Sequence, residues 1–278
     1  MPQPLAIGTI VGVLACLLLG AVLLTRRRTV CDPDRFDGWL GVPVIACIPR
    51  GDQGDGKGDG LLDPEASDDL ALDGVRSLTT AVHLMTLQHE ACSIALTAIA
   101  PGAGSAFVGA NLAAAAASPG RGALLIDGDL TGGRVHQSLK AEAAPGLADV
   151  VAKRVDLATA TQRLNAELDL LPTGSAEGGV ERSPADPLGA DAVASVIGEA
   201  MKLKPFVAVV TAPATAPAAA AAIAARCTLA FVVARSGRHT QADIDGALRA
   251  LEQHGGKPVG LIFNGLPVRA ADYEAAAA

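Results

Sequence analysis

One stretch, residues 93–111, constrains the fold of this chain more than any other. It reads S-I-A-L-T-A-I-A-P-G-A-G-S-A-F-V-G-A-N: an apolar run typical of a buried strand, a turn containing Gly102 and Gly104, and an alanine-rich helical pattern. In α/β proteins a strand that turns through glycines into a helix forms a phosphate site, because the free N–H groups of the turn point at one anion. The stretch therefore predicts the geometry of a phosphate-binding loop.

The residues after this turn lack the chemistry of such a loop. A working loop ends in Gly-Lys-Ser/Thr, in which the lysine contacts the β- and γ-phosphates and the hydroxyl group binds Mg²⁺. Here Gly104 is followed by Ser105 and Ala106. A charge-assisted hydrogen bond contributes roughly 1.5 to 3 kcal/mol, and a triphosphate would lose more than one of them. A tight strand-to-helix turn that binds no ligand is the alternative interpretation.

Strand-like runs alternate with helical patterns from residue 73 onward. The strand-like runs cover 92–99, 123–126, 168–171, 206–211, 229–233 and 259–263, and the helical patterns cover 74–89, 106–118, 147–153, 157–165, 191–202, 217–226 and 240–254. Apolar strands that alternate with helices indicate a parallel sheet with helices on both faces. Such sheets bind ligands at the carboxyl ends of their strands, which here carry residues 101–105, 127–129, 211–213 and 264–267.

Three side chains at these strand ends bear on metal chemistry. Asp127 and Asp129 follow the second strand, and without a lysine or a metal ion they would repel a phosphate. They are predicted either as turn and cap residues or as the remnant of a metal site. Thr211 stands where an Mg²⁺-organising aspartate would be expected, and a threonine does not supply that charge. We therefore expect no bound metal ion.

The N-terminal region predicts a membrane anchor. Residues 5–24 are uncharged and apolar, and at about 1.5 Å per residue a helix of this length crosses the roughly 30 Å hydrocarbon layer. Three arginines follow at 26–28, whereas a signal peptide carries its positive charge before the apolar run. The positive-inside rule predicts a single-pass helix with the N-terminus outside and the rest of the chain in the cytoplasm. A buried core helix is the alternative.

Composition divides the remaining chain and excludes some functions. We predict a membrane anchor with a basic stop at 1–28, a juxtamembrane segment at 29–50, a flexible Gly/Asp-rich linker at 51–72 and a folded domain at 73–278, because a segment such as GDQGDGKGDG buries too little apolar surface to order itself. The formal net charge of -7 argues against nucleic-acid binding. The five cysteines lack paired spacing, which argues against a disulfide or metal role.

The motifs resemble those of one family, the cytoplasmic domain of bacterial tyrosine kinases, which has a P-loop NTPase-like fold of the partition-ATPase class. The matching runs are P-G-A-G-S-A-F-V-G-A-N-L-A at 101–113 and A-L-L-I-D-G-D-L at 123–130. Segment 41–50 is similar to one found in polysaccharide co-polymerases, and Asp73 and Arg76 resemble a self-association motif E-x-x-R-x-x-R without its last arginine. The resemblance implies a nucleotide-site remnant, with an asparagine on the adenine side, at Pro101, Gly102, Gly104, Ser105, Asp127, Asp129, Thr211 and Asn264.

The departures from the family pattern are as informative as the matches. Ser105 replaces the lysine, Ala106 the Mg²⁺-binding hydroxyl residue and Thr211 the second acid, while Thr-Gly-Gly at 131–133 replaces Arg-Arg-Pro. The C-terminal tyrosine cluster is reduced to Tyr273, which is left as the phospho-acceptor. Their joint loss predicts a degenerate nucleotide site with no catalytic residue and no bound cofactor.

The resemblance implies a membrane-anchored, catalytically inactive kinase-like protein of the bacterial inner membrane. It would act as a scaffold or regulator in capsular or exopolysaccharide biosynthesis, chain-length control or export. The expected partners are polysaccharide polymerisation or export proteins, or a co-polymerase subunit that carries a periplasmic domain, and the partial self-association motif predicts a homo-oligomer.

Two other hypotheses stay open. The first is an active tyrosine autokinase or ATPase that uses ATP and Mg²⁺, in which Ser105 and the loop N–H groups hold phosphate while Asp127 and Asp129 hold the metal. The second is a positioning protein akin to the partition ATPases. Those proteins depend on ATP-driven dimerisation, and a permanent membrane helix argues against such a cycling binder.

Overall fold

A mostly parallel sheet forms the centre of the computed structural model. The model describes residues 29, 41–50, 60–65, 69–117, 120–130, 132–174 and 187–267. Its strands are β1 (Val44–Pro49), β2 (Cys92–Ala98), β3 (Ala123–Asp127), β4 (Gln162–Arg163), β5 (Leu168–Leu171), β6 (Phe206–Val210), β7 (Leu229–Arg235) and β8 (Gly260–Leu266). They lie in the order β1-β8-β7-β2-β6-β3-β5-β4, and every pair is parallel except the short antiparallel pair of β4 and β5.

Helices cover both faces of this sheet, as predicted. They are α1 (Leu70–Met85), α2 (Ser105–Ala116), α3 (Val135–Ser138), α4 (Leu147–Val151), α5 (Leu157–Ala160), α6 (Pro187–Leu203), α7 (Pro217–Ala224) and α8 (Gln241–Gln253). Side chains alternate between the two faces along a strand, so Phe231 and Val233 pack with α1 and α2, whereas Val232 and Ala234 pack with α7 and α8.

Helix α2, which follows the glycine loop, lies unusually close to the sheet. A β-carbon on Gly109 would come within 2.8 Å of the Val210 side chain and 3.1 Å of the Leu96 side chain. A residue larger than glycine would fit at this position only if the neighbouring side chains moved. The absence of a side chain at Gly109 therefore sets how closely the loop and its helix approach β2 and β6.

One predicted helix, 157–165, is wrong in its second half. α5 ends at Ala160 and the chain then forms β4. The side chain of Asn165 accepts hydrogen bonds from the backbone N–H groups of Glu167 (3.0 Å) and Leu168 (2.8 Å). This local turn competes with helical hydrogen bonding, as asparagine side chains commonly do, and it connects β4 to β5.

The sheet begins upstream of the predicted domain boundary at residue 73. β1 pairs in parallel with β8, and Ile48 is fully buried against Val75 and Ile262. The end of the predicted linker is also attached, since the Leu62 N–H donates to Asn111 Oδ1 at 2.7 Å. The juxtamembrane segment thus supplies an edge strand of the domain, because a parallel pair tolerates a long connection between its strands.

Several predictions concern residues outside the described part of the chain. These are the membrane helix at 5–24, the arginines at 26–28, the linker residues 51–59 and 66–68, and Tyr273. Among the described residues, no helix combines the length and apolar character needed to cross a membrane.

If β1 is part of the domain core, shortening Ile48 should destabilise the whole fold. We expect Ile48→Ala to lower the free energy of unfolding by about 2 to 5 kcal/mol, because it leaves a cavity in a closely packed region. Urea denaturation of the purified protein measures this change. Leu84→Ala is the matched control, since Leu84 is 61% exposed, and it should change stability by no more than about 0.5 kcal/mol. Equal stabilities for the two variants would contradict the placement of β1.

Candidate functional site

The glycine loop joins β2 to α2 at the carboxyl edge of the sheet. Gly102 has φ 83° and Gly104 has φ 98°, a backbone region that favours glycine. Gly104 caps α2 and provides no side-chain hydrogen bond to it, while its carbonyl accepts from the Val108 N–H at 2.9 Å. The first turn of α2 also contains no acidic residue. The loop therefore has the shape that the sequence predicts, with the N-terminus of a twelve-residue helix behind it.

Asn264 packs directly on this loop from the end of β8. Its side-chain nitrogen donates to the Ala103 carbonyl at 3.2 Å, and a β-carbon on Gly104 would overlap that nitrogen. Asn264 is itself buried. The side chain that the family resemblance places on the adenine side thus holds the loop backbone in this structure.

Two arginines approach the loop from the end of β7. Arg235 Nη1 donates to the Gly102 carbonyl at 3.5 Å. Arg238 Nη1 lies 3.1 Å from the point that a β-carbon on Gly102 would occupy. Neither arginine is among the site residues predicted from the sequence. The signal was available, because Arg-Ser-Gly-Arg at 235–238 ends the strand that neighbours β2.

The three positions that carry the chemistry of a working site hold uncharged residues. Ser105 is the first residue of α2 and is buried, and Ala106 beside it is half-buried. Thr211 follows β6, where its hydroxyl oxygen lies 2.7 Å from that of Thr97 and donates to the Ala212 carbonyl at 2.9 Å. Both threonines are almost fully buried. The Thr211 hydroxyl is therefore engaged by its neighbours within the protein.

Asp127 is a buried residue whose carboxylate organises the chain after β3. It has no exposed surface, and it accepts hydrogen bonds from the N–H groups of Val135 (3.0 Å) and Asp129 (3.3 Å). Burial raises the pKa of Asp127, while the Thr173 hydroxyl and these two N–H groups act in the opposite direction. A β-carbon on Gly133 would overlap the carboxylate, so glycine is required at that position. These contacts support the turn-and-cap interpretation of Asp127.

Asp129 lies in the turn that Asp127 closes. It is half-buried, and its carbonyl accepts from the Gly133 N–H at 2.8 Å. Among the residues that the structure describes, no three His, Cys, Asp or Glu side chains converge as a metal site would require.

The two residues predicted as the remnant of a self-association motif, Asp73 and Arg76, lie on the exposed side of α1. Arg76 Nη1 lies 3.2 Å from Asp73 Oδ1, and both side chains are more than half exposed. Arg76 also donates to the Pro64 carbonyl at 3.3 Å. An exposed ion pair of this kind contributes little to stability. Because both side chains are more than half exposed, they are accessible to another molecule.

Comparisons with known proteins identify the class. No family model matches the chain. The tyrosine-protein kinase Wzc of Salmonella typhimurium is 30% identical over 207 residues, which cover 74% of this chain and 28% of that protein. The putative tyrosine-protein kinase EpsB of Ralstonia solanacearum is 30% identical over 275 residues, which cover 95% of this chain and 36% of that protein. The chain spans about a third of the length of these relatives.

The structural comparison agrees with the sequence comparison. The kinase domain of the Escherichia coli tyrosine kinase ETK superimposes with a TM-score of 0.71 and 26% identity, over 83% of this chain and 92% of that domain. The described residues therefore have a P-loop NTPase-like fold. The homologues of this chain are bacterial tyrosine kinases, which confirms the resemblance carried by residues 101–113 and 123–130.

The buried Asp127 predicts a specific pH dependence of stability. Because the folded chain binds the Asp127 proton more tightly than the unfolded chain, stability is lost as the pH rises from the ordinary carboxyl pKa through the raised folded value. Asp127→Asn removes this contribution. As the pH rises above about 4, we expect the unfolding free energy of the wild type to fall relative to that of Asp127→Asn. Denaturation at a series of pH values measures it, and parallel curves would contradict the assignment.

Proposed function

We propose that this chain is a membrane-anchored relative of the bacterial tyrosine kinases that does not transfer phosphate and acts through its surface. In this proposal it serves as a scaffold or regulator of capsular or exopolysaccharide biosynthesis, chain-length control or export. Homology to bacterial tyrosine kinases supports the family part. A 27% identical relative from Klebsiella pneumoniae is named for a cps region, which supports the link to polysaccharide.

The observation that carries the proposal is the set of side chains around the loop. Ser105 and Ala106 provide no positive charge at the start of α2, and Thr211 provides no negative charge at the end of β6. Of the two carboxylates after β3, that of Asp127 is buried and accepts hydrogen bonds from two backbone N–H groups. ATP with Mg²⁺, the ligand that the family resemblance implies, needs cations for its phosphates and oxygen ligands for the metal. The residues present do not fit that ligand.

The alternative function is an active autokinase or ATPase with a divergent site. The two arginines favour it, because Arg235 and Arg238 bring positive charge to the Gly102 side of the loop. Arginine binds phosphate through paired N–H groups. In this alternative the guanidinium groups replace the missing lysine, and ATP and Mg²⁺ are cofactors.

The proposal includes a location and partners. The chain lies in the bacterial inner membrane as a single-pass protein, with its main domain in the cytoplasm, as the apolar stretch at 5–24 and the arginines after it suggest. It contacts polysaccharide polymerisation or export proteins, or a co-polymerase subunit with a periplasmic domain. The exposed Asp73 and Arg76 support contact between copies of the chain.

Titration with ATP and Mg²⁺ separates the two functions. We expect the purified full-length chain to show no saturable ATP binding up to about 1 mM, since the lysine and hydroxyl group at the start of α2 and the acid after β6 are missing. Isothermal calorimetry measures the binding. Micromolar affinity, or release of phosphate, would overturn the proposal. Loss of that affinity in Arg235→Ala/Arg238→Ala would then assign it to the arginines.

Restoring the missing side chains is the complementary test. The triple variant Ser105→Lys/Ala106→Ser/Thr211→Asp returns the lysine, the hydroxyl group and the acid to their positions, and we expect it to bind ATP with Mg²⁺ at least about tenfold more tightly than wild type. The same titration without Mg²⁺ is the control, because the hydroxyl and the acid act through the metal. A triple variant that folds yet binds no better than wild type would show that more than these three side chains is missing.

A further inference from the structure

The first described residue, Thr29, pairs with the folded domain at the start of α8. It forms an isolated antiparallel bridge with Thr240, whose side chain caps α8 by accepting from the Asp243 N–H. Thr240 comes five residues after the end of β7, so it lies on the carboxyl side of the sheet. The segment that follows the arginines at 26–28 therefore meets the domain at the edge that carries the glycine loop.

This contact limits the distance between that edge and the apolar stretch at 5–24. Thr29 comes five residues after Leu24, and an extended chain spans at most about 3.6 Å per residue, or roughly 18 Å in all. The headgroup region of a bilayer adds about 5 to 8 Å to each side of the hydrocarbon layer. If the apolar stretch crosses a membrane, Thr240 is held close to the lipid headgroups.

The opposite, amino edge of the sheet lies farther from this attachment point. The seven residues of β7 extend for roughly 20 Å at about 3.3 Å per residue. Arg121 and Lys257, both exposed, precede β3 and β8 at the amino edge. The short connection from Leu24 thus favours a bilayer that lies against the carboxyl edge.

Positive charge surrounds the attachment point. Arg238 is exposed, and no carboxylate among the described residues forms an ion pair with it. Arg235 is half-buried at the end of β7. The neighbouring Asp243 carboxylate already accepts from the backbone N–H and the hydroxyl group of Thr240, each at 2.8 Å. The fold thus adds two arginines to the three at 26–28, and clusters of about four to eight basic residues beside a membrane helix bind anionic lipids.

We propose, on the basis of the membrane anchor in the proposed function, that the carboxyl edge of the sheet docks on the bilayer and that Arg235 and Arg238 contact anionic phospholipid headgroups. A guanidinium group suits this role because its parallel N–H groups bind two phosphate oxygens at once. The exposed Gly102 lies beside both arginines, so the glycine loop faces the headgroups as well. In this arrangement the arginines have a function that requires no nucleotide.

Hydrogen exchange of the full-length chain in lipid nanodiscs tests the docking. One set of nanodiscs contains phosphatidylcholine alone, and the other contains a mixture with phosphatidylglycerol. We expect residues 100–104 and 236–239 to exchange more slowly in the anionic nanodiscs, and residues 120–122 and 255–258 at the amino edge to exchange equally in both. High salt should remove the difference, because salt screens the attraction. Equal exchange of 236–239 in both sets would overturn the proposal.

Single substitutions at the two edges provide matched variants. Arg238→Ala should lower the ratio of docked to undocked chain in anionic nanodiscs about fivefold, the factor expected for one arginine near an anionic surface. Arg238→Lys keeps the charge and should retain most of the protection. Lys257→Ala removes one charge from the amino edge and should leave the protection of 236–239 unchanged. Full protection in Arg238→Ala would contradict the role of this arginine.

Insertion of the anchor is measured separately from docking. Wild type and Arg238→Ala should copurify equally with the nanodiscs in size-exclusion chromatography at high salt, because the apolar stretch holds the chain there. A chain that does not copurify would contradict the membrane anchor of the proposed function, and the docking with it. A chain that copurifies and yet exchanges equally in both lipid compositions would contradict the docking alone.

Discussion

The parallel hydrogen bonding of β2 between β6 and β7 is the constraint on which the rest of the structure depends. Leu96 pairs with Val210, the last residue of β6, and Ala98, the last residue of β2, pairs with Val233 of β7, which continues to Arg235, so the three strands end in a staggered row at one edge of the sheet. All seven residues of β2 are buried. Because these strands run in one direction, the loops that follow them must meet at one edge of the sheet.

This convergence determines which side chains surround the glycine loop. β6 contributes a threonine whose hydroxyl group is engaged by Thr97, and β7 contributes Arg235 and Arg238 beside Gly102. The positive charge near the loop therefore comes from a neighbouring strand, whereas a working phosphate loop carries it in the first turn of its own helix. The loop itself is held by Asn264 from β8. The same backbone geometry thus persists with a different distribution of charge around it.

Much of the fold was predictable from the sequence, because apolar strands and helical patterns alternate along most of the chain after residue 92. The glycine loop was also predictable, since its shape follows from local residue types. The role of Asp127 was left open between a cap and a metal remnant, and only its complete burial and its two backbone hydrogen bonds favoured the cap. The edge strand β1 was separated from the domain in the prediction because a Gly/Asp-rich segment follows it. Composition indicates how polar a segment is. It does not indicate which strand a neighbouring segment will pair with across a long connection.

The sequence by itself determined the fold class, the shape of the glycine loop, and the absence of a lysine, a Mg²⁺-binding hydroxyl residue and an acid at the positions where the family has them. These are properties of residue type and spacing along one segment. Only the tertiary structure decided that Arg235 and Arg238 lie beside Gly102, that Ile48 belongs to the core, and that Asn264 packs on the glycine loop. Each of these depends on contacts between segments far apart in the chain, and such contacts are fixed by the order of strands in the sheet, which no single segment encodes.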